Sequence, residues 1–380
     1  MKSIFVALTF LISAPTWAGT SYPKLAEKGF TSAKICGECH EAIYQGWKES
    51  MHANAVKDPI FYPIFLEASQ RTAGKSDALC LSCHSPTTRI TKKYDLDDPL
   101  NSEGITCDFC HSVKEVRLNE PDPFVIEKDK KKWGPLKDIE SPFHGIGFAP
   151  HFEQSAFCAG CHEYKNEKGV PILETFSEWK GSQQAREGKD CQSCHMPPIQ
   201  GLPVPPRVKP VKEIYINSHE AVGGHSIEQV KKAVTVKIVE MKRSGEKIHG
   251  VVRLVNVGSG HKVPTGMPTR RLVLSLKVQA GGTSVYSEER VFQKILLNPK
   301  GEKITKDSDV FLDADKILQD NRLKPGETRE EHFTFFAPSD RPLEVETSVY
   351  YLYQPRLIQE TEMHMELGRE KVVLPTGRGK

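Results

Sequence analysis

What this 380-residue chain has little of is the material of an ordinary core. With glycine counted in and tyrosine out, its apolar residues come to about 43 %, short of the ~45–50 % usual for globular domains. Something besides aliphatic packing must fill part of it. Charge of one sign is also missing: 52 basic and 49 acidic residues leave a net +3, too balanced for a chain that coats nucleic acid. Beyond residue 18 no stretch approaches the ~18 apolar residues of a membrane-spanning helix, so none is expected in the mature chain. Nor is there any cysteine outside a Cys-x-x-Cys pair.

The amino-terminal 18 residues carry Lys2, an apolar run from Ile4 to Ile12 and a Thr16-Trp17-Ala18 ending. This is the pattern of an export signal. It predicts a periplasmic or extracellular protein, and the remaining cysteines are read in that light.

The ten cysteines form five pairs, each followed at once by histidine: Cys36/Cys39/His40, Cys80/Cys83/His84, Cys107/Cys110/His111, Cys158/Cys161/His162 and Cys191/Cys194/His195. Disulfides or zinc could use the thiol pairs, but neither requires a histidine after every second cysteine. Two thiols three positions apart can add to the two vinyl groups of one haem while the adjacent imidazole meets its iron. The sequence therefore predicts five covalently attached haem c groups, with His40, His84, His111, His162 and His195 as proximal ligands.

The motifs start 44, 27, 51 and 33 residues apart within about residues 25–230, leaving about forty residues per cofactor. So little chain must wrap its haems closely and let them stand in for aliphatic core. Short helices and loops are expected there, with no sheet pattern before about residue 230. From Ala233 the text alternates: Val234, Val236, Ile238, then Val251 to Val255, Leu272 to Leu276, His332 to Phe336 and Ser348 to Tyr353. These are strand signals separated by turn clusters. The expected fold is α+β by segregated domains, a helical and loop-rich haem domain (25–230) followed by an antiparallel β-sandwich (231–375). Pro197 to Pro210 and a helix-like stretch at 225–233 are read as the join.

Sixth ligands must come from the nine other histidines. His249, His332 and His364 lie in or beside strand-like segments and are set aside. His52 follows a predicted helix beginning near His40, with Tyr44, Trp47 and Met51 along one stripe. At ~18 Å of helix from His40 it can serve only a different haem. His144 and His151 occupy a Gly- and Pro-rich loop suited to close approach. Gly223-Gly224 lets one of His219 and His225 turn inward, and His225 is favoured. His261 ends a strand in a glycine-rich loop. Met196 directly follows His195 and cannot reach the opposite face of the same haem. The Lys128 to Lys132 run is either a solvated face or a dock for an acidic redox partner.

Taken together, Cys36-x-x-Cys39-His40 with Trp47-x-x-Ser50-x-His52-Ala53, Gly104-Ile105-Thr106-Cys107-Asp108-Phe109-Cys110-His111, and Glu178-Trp179 before Cys191-Gln192-Ser193-Cys194-His195-Met196-Pro197 resemble multihaem c-type cytochromes of the cytochrome c-554 group. That group includes cytochromes of nitrogen-compound metabolism. The resemblance spans the haem half and implies a distal-ligand role for His52. Gly260-His261-Lys262-Val263-Pro264-Thr265-Gly266 is similar to a segment of related chains with β-rich tails. The namesakes have four haems and no large β-domain, so haem order does not transfer.

The expected function is single-electron relay between redox partner proteins through closely packed, mostly bis-histidine haems. One alternative is an oxidoreductase acting on a small nitrogen or sulfur compound at an open haem, although the Cys-x-x-Cys-Lys variant of several such reductases is absent. Another is a subunit of a filament, complex or homo-oligomer. Counting about one negative charge per ferric haem, five haems and loss of Lys2 take the net charge to about −3.

Overall fold

The computed structural model describes residues 24–353 and 363–377; the predicted export segment, residues 1–18, lies outside them. The fold is mixed α+β. Up to Val230 the helices are short, the longest being Phe61–Thr72. Pro63 sits in the first turn of that helix, where its missing N–H is no loss. Its far end stops at Ala73 in the left-handed region, and Gly74 N–H returns to the Ser69 carbonyl at 2.8 Å.

The helix after the first motif runs Glu41–Glu49 and does not reach His52 as the sequence reading expected. The Ser50 hydroxyl bonds the Trp47 carbonyl at 2.6 Å, competing with the helical ladder, and residues 51–57 continue as turns. The stripe is real nonetheless: Trp47 is buried and donates its indole N–H to the Ile105 carbonyl at 2.8 Å.

The expectation of no sheet before residue 230 is overturned. Four two-stranded ribbons lie there: Val113–Val116 with Phe124–Ile126, Lys131–Gly134 with Gly145–Phe148, Glu163–Lys165 with Pro171–Glu174, and Pro198–Gly201 with Ile214–Asn217. Strands of three or four residues are too short to display an alternating pattern. The last ribbon also removes the Pro-rich stretch from the role of a plain linker.

After residue 233 the strands lengthen. Val234–Ser244, Lys247–Asn256 and Thr328–Phe336 form one antiparallel sheet. Thr283–Phe292, Arg271–Ala280, Leu343–Tyr353 and Met363–Leu374 form a second. Their inner faces share one core, with Ile248, Leu254 and Phe333 from the first sheet meeting Leu272, Leu274 and Leu276 from the second. A separate apolar cluster joins the two halves of the chain, uniting Val170 and Ile172 with Leu296, Val310 and Ala314.

Leu274 is fully buried in the shared core. Leu274→Ala is expected to cost about 2–5 kcal/mol by lost transfer energy and a residual cavity, read as a lower denaturation midpoint at unchanged slope.

Candidate haem sites

Each motif lies on or beside a short helical turn: Ala33–Gly37, Asp77–His84, Cys107–Cys110, Ser155–His162 and Cys191–His195. A three-residue spacing on such a turn puts both thiols on one side. Side-chain caps set the turns. The Thr106 hydroxyl accepts the Phe109 N–H at 3.1 Å, while Ser155 bonds Asp190 and Cys191 N–H, tying the fourth turn to the fifth. Thiols of different motifs meet: Cys36 with Cys107, Cys83 with Cys161, and Cys158 with Cys191.

The motifs open on a cavity of about 1500 Å³. The first four present both cysteines and the histidine to it, and the fifth contributes Gln192 and Met196. Its wall also carries His52, His144, His219 and His225.

Orientation of the imidazoles comes from the backbone. Nδ1 of His40 meets the Pro203 carbonyl at 2.8 Å, that of His84 meets Ala55 at 2.9 Å, that of His111 meets Trp133 at 2.6 Å, and that of His195 meets Val222 at 2.5 Å. Among the non-motif histidines, His144 uses Gly145 at 3.0 Å, His219 uses Asn217 at 2.8 Å and His261 uses Lys262 at 2.9 Å. With its proton on Nδ1, each ring keeps the Nε2 lone pair for a metal. Burial pushes His52, His111, His162 and His261 down to about 4, with neighbouring imidazoles adding to the effect. They are neutral at pH 7, the form that binds iron.

Three pairs of rings face one another: His40 with His144 at 6.3 Å between centroids, His111 with His219 at 6.5 Å, and His195 with His261 at 6.3 Å. Metal–nitrogen bonds of about 2 Å on either side and a ring radius of about 1.1 Å set centroids about 6.3 Å apart across one metal ion. The residues therefore fit haem iron held between two imidazoles.

His52 and His162 are close enough to influence each other, the His52 ring being the largest effect on His162 after burial. The His52 backbone is held by Ile105 N–H at 3.0 Å. Gly104 makes this possible: its φ is +70°, and a Cβ there would stand 2.5 Å from the His52 carbonyl oxygen. His84 stacks on Phe61 at 3.8 Å.

Two sequence expectations need restating. His219, ranked behind His225, is the one that faces His111; both line the cavity. His151 is absent from the cavity wall, packing against Phe152 and Phe157 with its Nε2 buried and without a hydrogen-bond partner among the described residues. Proline at 150 turns it into that aromatic cluster at the start of a 3-10 turn. His249 and His332 stack on neighbouring strands at 5.7 Å, and His364 packs on Tyr350. Within the lysine run, Lys132 pairs with buried Asp108 and Lys131 lies over Trp133.

The His261 loop is fastened by a buried charge cluster that sequence reasoning missed, although Glu178 was among the motif residues. Glu178 contacts Arg322 at 2.8 Å, both almost fully buried. Its other oxygen accepts from Lys262 N–H and the Thr265 hydroxyl. Asp320 meets Arg322 and Lys262, each at 2.7 Å, and Glu174 meets Lys294 at 2.7 Å. Burial pushes Glu178 up, against the pull of Arg322.

Residues 35–112 match the family model described as cytochrome c554 and c-prime. Cytochrome c-554 of Nitrosomonas europaea is 29 % identical over 182 residues, covering 45 % of this chain and 70 % of that protein. The crystal structure of a penta-heme cytochrome c552 from Thermochromatium tepidum superposes with a TM-score of 0.73 at 23 % identity, covering 90 % of this chain and 98 % of that one; at this identity the likeness speaks to the fold. Fold and motifs together define a multihaem c-type cytochrome, an electron-transfer protein with covalently bound haem c. More particularly, its haem half is similar to the cytochrome c-554 family.

Removing Glu178 takes one carboxylate from Arg322 and the acceptor from the Lys262 N–H and the Thr265 hydroxyl, while Asp320 still pairs the guanidinium. Glu178→Ala is expected to cost about 1–3 kcal/mol in denaturant unfolding of the holoprotein, whereas breaking the exposed Arg117–Glu115 pair is expected to leave the denaturation midpoint almost unmoved.

Proposed function

We propose that this protein is an exported pentahaem electron carrier in which each Cys-x-x-Cys-His motif holds one haem c. The pairs that would hold the irons are His40/His144, His111/His219, His195/His261, His162/His52 and His84/His225. The observation that carries the reading is the set of three facing imidazole pairs at 6.3–6.5 Å. His52 is assigned to His162 because, after burial, its ring is the largest influence on that imidazole. His225 is the remaining cavity imidazole and shares the influence of Asp58 with His84. His151 has no ligand role in this scheme.

Bound haem supplies a one-electron ferric–ferrous couple. The chain's own residues do the rest. The paired imidazoles would hold the iron through Nε2, and where a backbone carbonyl accepts at Nδ1 it would fix the ring and raise its basicity. The fifth motif lies nearest solvent, with Cys194 exposed, which makes it the favoured point of exchange with a redox partner protein. Export rests on the pattern of residues 1–18.

Mass spectrometry of the exported protein is expected to find five covalent haems, and electron paramagnetic resonance to find all irons low-spin. His261→Ala and His219→Ala are each expected to convert one low-spin haem to high-spin with all five still attached, because no thioether is touched; His151→Ala is expected to change none. Fewer than five haems, or unchanged spin counts in both ligand variants, defeats the assignment. The reduced protein should pass electrons to a small cytochrome faster than to nitrite or hydroxylamine, and rapid turnover of either compound at a high-spin iron favours the enzyme reading instead.

A further inference from the structure

Arg270 is a cation of the cavity wall whose buried Nε has no hydrogen-bond partner among the described residues. It follows the Gly260–Gly266 segment, lies deep in the molecule, and is only partly covered because it faces the cavity. Its Nη1 reaches the Thr265 carbonyl at 3.3 Å, and the Tyr351 hydroxyl also bonds the guanidinium. The Tyr353 ring lies beneath it at 5.2 Å. Nε is buried without a hydrogen-bond partner, and no carboxylate is in ion-pair contact with the group among the described residues.

Among the other cavity cations, Arg89 pairs with Asp122 and Lys132 with Asp108, Lys209 bonds the Glu140 carbonyl, and Lys165 and Lys180 are exposed to solvent. The carboxylate nearest in influence to Arg270, Asp307, is already engaged, accepting from the Tyr353 hydroxyl at 2.6 Å and from Thr269. Space for the guanidinium is also built in. A Cβ at Gly224 would lie 3.5 Å from Nη1, and one at Gly266 3.1 Å. A guanidinium stays charged at any physiological pH, and a buried charge without a counter-ion is costly. Such a group, lining a cavity beside His225, calls for an anion that none of the described residues provides in ion-pair contact.

We propose that Arg270 is an anion anchor that binds a carboxylate or similar oxyanion inside the cavity, supplied by a propionate of one of the haems assigned above. The inference rests on that pentahaem reading for its source; a free oxyanion from solution shares the same chemistry. The planar fork accepts two oxygens at once. Neutralising a propionate removes negative charge near its iron, which favours the ferrous state and raises that haem's potential. It also holds the propionate pKa down, as an opposite charge within ~4–6 Å does, so the potential does not vary with pH near neutrality.

The test uses full-length, haem-loaded R270Q and R270K proteins. Haems are counted by mass spectrometry and each is followed by spectroelectrochemical titration between about pH 6 and 9, a window spanning a propionate released to titrate. In R270Q one of the five midpoint potentials is expected to fall and to become pH-dependent; R270K, keeping charge but losing the fork, is expected to show a smaller fall in the same haem. In the second arm, the wild type is titrated with inorganic phosphate at constant ionic strength. A saturable spectral change that vanishes in R270Q assigns the anchor to a free oxyanion; no response together with the potential shift assigns it to the propionate. Unmoved potentials in both variants with no phosphate response overturn the proposal. If R270Q does not accumulate, R270K and the phosphate titration decide. Fewer than five haems in the wild type would instead undercut the reading beneath it, which separates the two failures.

Discussion

The haem half is organised by a bond between imidazole Nδ1 and a backbone carbonyl, present at four of the five motif histidines among the described residues. Such a bond fixes tautomer and ring plane together, leaving Nε2 as the metal-facing atom. The acceptors for the motif histidines lie far along the chain from them: Pro203 for His40, Ala55 for His84, Trp133 for His111 and Val222 for His195. Ligand geometry is therefore a tertiary property. The loops that look like spacers between motifs are braces, and one of the acceptors, Trp133, is itself held in a short ribbon.

This explains which parts of the protein are readable from its residues. A Cys-x-x-Cys-His motif is a local constraint, and so is the alternation of Leu272 to Leu276, whose even members face the shared core in register with Tyr351, Val349 and Thr347. The choice between His219 and His225 is not local. His219 is set by the ribbon Pro198–Gly201 with Ile214–Asn217 and by its own bond to the Asn217 carbonyl, and a strand of four residues has no signature of its own. The loop containing His144 and His151 divides for a similar reason. His144 directly precedes the paired strand Gly145–Phe148, while Pro150 begins a 3-10 turn that carries His151 into the aromatic cluster.

The β-rich half is bound to the haem half by charge as well as by apolar contact. Arg322 gathers Glu174 and Glu178 from one side and Asp320 from the other. A buried cluster of this kind need add little net stability, since desolvation offsets much of the attraction. Its directional contacts do fix position: Glu178 holds both the Lys262 N–H and the Thr265 hydroxyl, and between them and the strand Lys247–Asn256 the loop presents His261 to His195. Apolar packing through Ile172 and Leu296 supplies the association, and the charges supply the register.

Spatial order among the motifs differs from their order in the chain. Thiol contacts join the first to the third, the second to the fourth and the fourth to the fifth, which leaves two groups without a thiol link between them. His52 closes that gap. It belongs to the segment just after the first motif, its backbone is held by Ile105 just before the third, and its ring lies within electrostatic reach of His84, His162, His195 and His219. In the proposed assignment His52 is carried beside the first motif and would serve the fourth, as His219, downstream of the fifth motif, would serve the third. The turn that ends the helix at Ser50 is thus one of the places where the two groups are joined.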